Sequence, residues 1–184
     1  MPDSLKRLEK LKSVFENLFS IEENTLLQYG AEEPFYRAPE SGNKAIIFSR
    51  EDYFSSALHE IAHWCIAGEE RRKLDDFGYW YKPEGRNQAE QTEFEKVEIK
   101  PQAIEWALSL ACGETFHFSA DNLTQGIDAS DSFKHNVTAQ LKAYLENGLP
   151  TRAQKLFDGL KKEFCNEPNL GEIFINHQEV ELHV

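Results

Sequence analysis

The sequence predicts a helix-rich α+β fold with a small sheet, in one domain spanning residues 1–184. Three observations predict it. A length of 184 residues suits one ordinary domain. Apolar residues recur three or four apart through most of the chain, which is the helical period. One short apolar run, Ala45-Ile46-Ile47-Phe48, has strand length and composition. No internal repeat, low-complexity tract or linker divides the chain.

Residues 4–19 set Leu5, Leu8, Leu11, Phe15, Leu18 and Phe19 along one stripe among Lys and Glu, as an amphipathic helix requires. Glu32 to Asn43 carries Pro34, Pro39 and Gly42 and is predicted to be irregular, followed by the strand at Ala45. Ser49 to Ala67 reads as a helix, with Ser49, Glu51 and Asp52 near its start and Gly68 placed to end it in a left-handed conformation. Residues 69–86 open with a charged run and continue as Asp75-Asp76-Phe77-Gly78-Tyr79-Trp80-Tyr81, a strand or structured loop. Asn87 to Cys112 favours helix, but Pro101 lacks an amide donor and crowds the preceding turn. A break near Ile99-Lys100 is expected, and two helices or one bent helix fit equally. Helices follow near 131–147, ended by Gly148 and Pro150, and near 151–164, with Ala153, Leu156, Phe157, Leu160 and Phe164 inward. Ile173-Phe174-Ile175 is a candidate last strand.

Twenty Lys and Arg against 32 Asp and Glu leave a formal charge of −12, which repels polyanions. Direct nucleic-acid binding and anionic membrane surfaces are therefore not expected, whereas a basic partner would be attracted. Cys65, Cys112 and Cys165 are odd in number and form no C-x-x-C pair, so neither a disulfide framework nor a cysteine zinc knuckle is suggested. The first residues alternate apolar and charged side chains rather than forming a signal peptide. No stretch of about 18 apolar residues offers a membrane span. A reducing, cytoplasmic address is the expectation. Two glycosylation sequons, at Asn122 and Asn136, then carry no meaning.

The chemistry lies in His59-Glu60-Ile61-Ala62-His63, which fits H-E-x-x-H inside a predicted helix. Residues four apart lie about 40° apart around a helix, so both imidazoles can reach one metal ion. Leu58, Ile61, Ala62, Trp64 and Ile66 bury most of this helix, where a histidine pair without a shared ligand would be costly. Without a third ligand, the two histidines would simply bond core groups. A carboxylate commonly completes such a site, and Glu90, Glu93, Glu95, Glu98 and Glu105 are all available downstream. Glu98, between Val97 and Ile99, is the one most closely flanked by apolar residues, but spacing does not decide among them.

Glu60 admits three roles. It would be the general base on a metal-bound water in a peptidase, would orient a water, a substrate amine or a ligand histidine in an oxygenase, or would be a solvated helix residue. Cys65 is turned about 200° from His63 and belongs to the core. His117, His135, His177 and His183 have no partner at ligand spacing. Asp75 and Asp76 with the following aromatics could receive a cation, although aromatics packed in the core explain the same residues.

The run from Ala57-Leu58-His59-Glu60-Ile61-Ala62-His63-Trp64 through Phe77-Gly78-Tyr79-Trp80-Tyr81 to Phe94-Glu95-Lys96-Val97-Glu98 resembles the bacterial elongation factor P hydroxylase family, across nearly the whole chain. The resemblance implies an iron-dependent hydroxylase, with Fe(II) and dioxygen, acting on the β-lysyl-modified lysine of translation elongation factor P. It carries the metal ligands over to His59, His63 and Glu98 and implies a metalloprotease-like, zincin-like core around the motif helix. Both histidines share one helix here, unlike a typical iron facial triad. Two other readings stand beside it. One is a zinc metallopeptidase with the same ligands and Glu60 as base, in which zinc takes the place of iron. The other is an acidic binding module with a structural metal or none.

Overall fold

The computed structural model describes residues 3–78, 87–119 and 129–164. Helix α1 (Asp3–Phe19) buries Leu8, Leu11, Phe15 and Phe19, the stripe that three-and-four spacing dictates. Three strands follow: β1 (Thr25–Ala31), β2 (Phe35–Arg37) and β3 (Ala45–Arg50). β3 lies in the middle, parallel to β1 and antiparallel to β2, with Ile47 opposite both Leu27 and Tyr36. Ala45, Ile47 and Ser49 alternate onto the buried face of β3, against which the helices pack.

The sheet is larger than the sequence predicts, since β2 occupies a segment expected to be irregular and β1 carries no clear strand signal. Thr25-Leu26-Leu27 breaks the apolar alternation, and the register of β1 shifts between Gln28 and Ala31, where Gly30 takes a φ of 88°. β2 has three residues between Pro34 and Pro39, too few for a period of two to be seen.

Helix α2 (Phe54–Ile66) begins later than Ser49 because Ser49 and Arg50 complete β3. Glu51 then turns the chain with a φ of 44°, and the Ser56 hydroxyl accepts from the Arg50 amide at 3.0 Å. Gly68 does not provide the expected left-handed stop. Ala67 leaves the helix in extended backbone (φ −62°, ψ 123°), and the Arg152 guanidinium donates to the carbonyls of Trp64, Cys65 and Ala67.

The segment after α2 forms two 3-10 turns, Arg71–Lys73 and Asp75–Gly78, rather than a strand. Asp76 and Phe77 adopt left-handed backbone because their side chains fix them in place. Asp76 Oδ1 accepts from the Tyr36 amide at 2.8 Å, Asp75 Oδ1 from the Ala38 amide at 2.9 Å, and Phe77 stacks on Tyr36 at 4.2 Å. The two aspartates thus serve the fold of the sheet edge, and Phe77 lies in the core. Tyr79, Trp80 and Tyr81 lie outside the described residues, as does the candidate strand at 173–175.

Helix α3 (Gln88–Cys112) runs through Pro101 as one element. Asn87 and Glu90 form a capping box at its start, and Gly113, with a φ of 70°, ends it. Its 25 residues span about 37 Å, long enough to pass both α2 and α4 (Asp131–Asn147). Helix α5 (Thr151–Phe164) closes against α1, where Gly159 lets Val14 and Leu18 approach. The main core joins α1, α2, α5, the sheet and one face of α3 with Ile104 and Leu108, and a second cluster joins Ala103 and Ala107 of α3 to Phe133 and Val137 of α4. No helix among the described residues is long and apolar enough to cross a membrane.

Candidate metal centre

Helix α2 spends Ala57, Leu58, Ile61, Ala62, Trp64 and Cys65 on the core. Its remaining face carries half-buried His59, Glu60 and His63, and α3 packs its own buried carboxylates against the two histidines. The Nε2 atoms of His59 and His63 are 3.1 Å apart. Glu98 Oε1 lies 3.2 Å from His63 Nε2, and Oε2 lies 3.6 Å from His59 Nε2. Zinc bonds of about 2.0–2.2 Å at tetrahedral angles separate their donors by roughly 3.4 Å, so this spacing matches three ligands around one ion. One ligand atom from each residue lies within 4.8 Å of the others, a group that could hold a metal ion.

Glu98 carries the strongest signal. Its side chain is 1% exposed, and its two oxygens face the His59 and His63 imidazoles and the Gln102 side chain. Burial alone would raise its pKa, but the two imidazoles outweigh burial and hold the carboxyl well below its ordinary value, keeping it ionised. A buried, ionised carboxylate is expensive to maintain without a cation beside it, and a bound metal ion would satisfy both oxygens.

His59 is held from its far side by Glu105, whose Oε2 is 2.8 Å from Nδ1. Burial would lower the His59 pKa, but the Glu105 hydrogen bond and the charges of Glu105, Glu98 and Glu60 raise it above the ordinary imidazole value. In the metal-free protein this cluster therefore holds a proton that a metal ion must displace. Glu60 is pushed up, mainly by burial and against the pull of the two histidines. Its carboxylate makes no hydrogen bond among the described residues.

The other downstream glutamates have separate work. Glu90 caps α3, Glu93 pairs with exposed Lys96, and Glu95 accepts from the Ser130 amide and hydroxyl at the start of α4. His117 and His135 are exposed and apart from the centre, and His177 and His183 lie outside the described residues. Cys65 is a buried free thiol whose pKa burial pushes up to about 12. His63 borders a cleft of about 490 Å³ that continues along Ile66 to Arg71.

Sequence reasoning reached Glu98 for an incomplete reason and left the role of Glu105 unread. Val97 is 48% exposed, so chain neighbours do not bury Glu98. Residues adjacent on a helix point about 100° apart, whereas Glu98 and Glu105, seven apart, share a face. That spacing is the signal that could have found the pair.

Fold and site together define an α+β protein in which two packed helices share a two-histidine, one-glutamate group able to hold a metal ion. Residues 14–173 match the family model described as elongation factor P hydroxylase. The chain is also 47% identical over 166 residues, 89% of its length and 93% of the other protein's, to a Haemophilus influenzae protein named elongation factor P lysine hydroxylase. It belongs to the elongation factor P hydroxylase family.

Proposed function

We propose that this chain hydroxylates the β-lysyl-modified lysine side chain of translation elongation factor P, with Fe(II) bound by His59, His63 and Glu98 and dioxygen as cosubstrate. Family membership supports the reaction and the protein substrate. The observation that carries the metal is the buried Glu98 carboxylate facing two imidazole Nε2 atoms at ligand-like spacing. Two histidines and one carboxylate suit non-haem iron and leave coordination positions for exchangeable ligands. Iron bound there would activate dioxygen, one atom entering an unactivated C–H bond and the other leaving as water with two protons and two electrons from an external reductant.

The residues of the chain do the rest. Glu98 offsets part of the metal charge from a nearly dry position, and the histidines fix its direction from one rigid helix. Glu60 orients a water or the substrate amine beside the centre. The acidic surface, with a net charge of −12, draws a cationic, lysine-rich substrate region. We read the mixed sheet beside the motif helix as a metalloprotease-like core and place the protein with its substrate in the cytoplasm.

A zinc peptidase would use the same ligands with Glu60 as base. Such an enzyme must hold an extended chain, for which an open sheet edge is the ready device. The amides of Tyr36 in β2 and of Ala38 just beyond it are already bonded to Asp76 and Asp75, which closes that edge of the sheet to a peptide. The test is to strip the protein with a chelator and restore either Fe(II) or Zn(II) in air with lysylated elongation factor P. Oxygen insertion restored by Fe(II) and not by Zn(II) is the expected result. Peptide-bond cleavage restored by Zn(II) would replace the hydroxylase with the peptidase.

A further inference from the structure

We propose that Glu105 is a positioning residue that locks His59 in the one tautomer able to bind the metal through Nε2. The inference rests on the reading of His59, His63 and Glu98 as ligands. Neutral imidazole carries its proton on either nitrogen, and only the Nδ1–H form leaves Nε2 with a free lone pair. Glu105 Oε2 stands 2.8 Å from Nδ1, an acceptor that holds the proton on that side of the ring. The far nitrogen is thereby directed at Glu98 and at His63 Nε2.

Several features make this a built arrangement rather than a chance contact. The Glu105 side chain is 9% exposed, so little water competes for the bond. Glu105 lies two helical turns beyond Glu98 on α3, so one rigid element sets both the ligand and the group that orients its neighbour. The bond spans 46 residues of sequence and fixes the rotation of α3 against α2. Glu105 reaches the ring nitrogen opposite the metal side and is therefore not a fourth ligand. The two histidines are not equivalent. Among the described residues His63 has no carboxylate behind its ring, and it borders the cleft. His59 is the ligand anchored from behind by a carboxylate.

The test uses Zn(II) as a probe of affinity, independent of hydroxylation, by competition with a chromogenic chelator on the full chain. Glu105→Ala is expected to weaken Zn(II) binding by roughly 10–100-fold, the usual effect of losing such a partner. Glu105→Gln, whose amide oxygen still accepts from Nδ1–H, should recover most of the loss. Nitrogen-15 NMR of histidine-labelled parent protein with Zn(II) should show His59 protonated at Nδ1 and bound through Nε2, a readout that does not depend on either variant folding. Parent-like affinity in folded Glu105→Ala, or His59 bound through Nδ1, overturns the proposal. A parent that binds no Zn(II) overturns the metal centre itself, whereas tight binding without hydroxylation leaves Glu105 in place and rejects only the reaction.

Discussion

In the proposed centre the ionised carboxylate of Glu98, buried against two imidazoles, is the residue that matters most to metal binding. Glu98→Gln keeps the shape and removes the charge. It should weaken metal binding by more than the roughly 10–100-fold typical of outer partners and abolish hydroxylation. The metal-free variant should remain folded but melt below the parent at neutral pH, where the charge it lacks contributes stability; unchanged metal content by elemental analysis would refute the role. The same cluster sets a pH dependence. Glu98 is shifted below its ordinary value of 4.5, so its contribution to metal-free stability is full above that value and is lost as pH falls below it. His59 is shifted above its ordinary 6.5, so its contribution is full below that value and is lost as pH rises through its raised pKa. Melting of the metal-free protein should therefore show these contributions together only between pH 4.5 and 6.5, while metal affinity climbs with pH as the proton is released. Affinity that falls with rising pH would contradict this. His59 and His63 were legible because four-residue spacing is a local property of a helix. Glu105 was not, because its partner lies on another helix.

At the scale of elements, the metal helix is held at its end by a side chain from α5. Arg152 donates to three carbonyls of the α2 terminus and lies 4.9 Å over the Trp64 ring. Arg152→Ala removes this donor from the Trp64 and Cys65 carbonyls, while Ala67 keeps Arg72, and should cost about 2–3 kcal/mol, hydrogen bonds from charged groups being strong. At roughly 2–4 °C per kcal/mol for a chain of this size, thermal melting should drop by about 4–12 °C; no drop would mean that Arg152 does not hold the helix. Asn87→Ala removes the cap of α3 and should cost about 1 kcal/mol with metal affinity little changed. Amphipathic stripes made α1, α4 and α5 legible. The stop of α2 was misread because a distant arginine, rather than Gly68, satisfies its carbonyls. β1 and β2 were missed because they are stabilised by pairing to β3 and by Asp75 and Asp76, contacts that no local pattern records.

For the whole molecule, the centre joins α2 to α3, and a bound ion would add a clamp between two helices that already share the main core. Metal at about 100 times its Kd adds roughly 2.7 kcal/mol to stability. Melting should then rise by about 5–11 °C in the parent and stay unmoved in His63→Ala; a rise in both would place the metal elsewhere. The helix-rich α+β class was readable from composition and period, while the mixed topology of the sheet depends on long-range pairing. The account turns on whether oxygen is transferred to an intact protein substrate. Lysylated elongation factor P incubated with the iron-loaded protein under oxygen-18 gas, then weighed intact by mass spectrometry, answers this directly. The account predicts the gain of one heavy oxygen atom, absent with His59→Ala. An unchanged mass, or cleavage of the substrate into fragments, would contradict it.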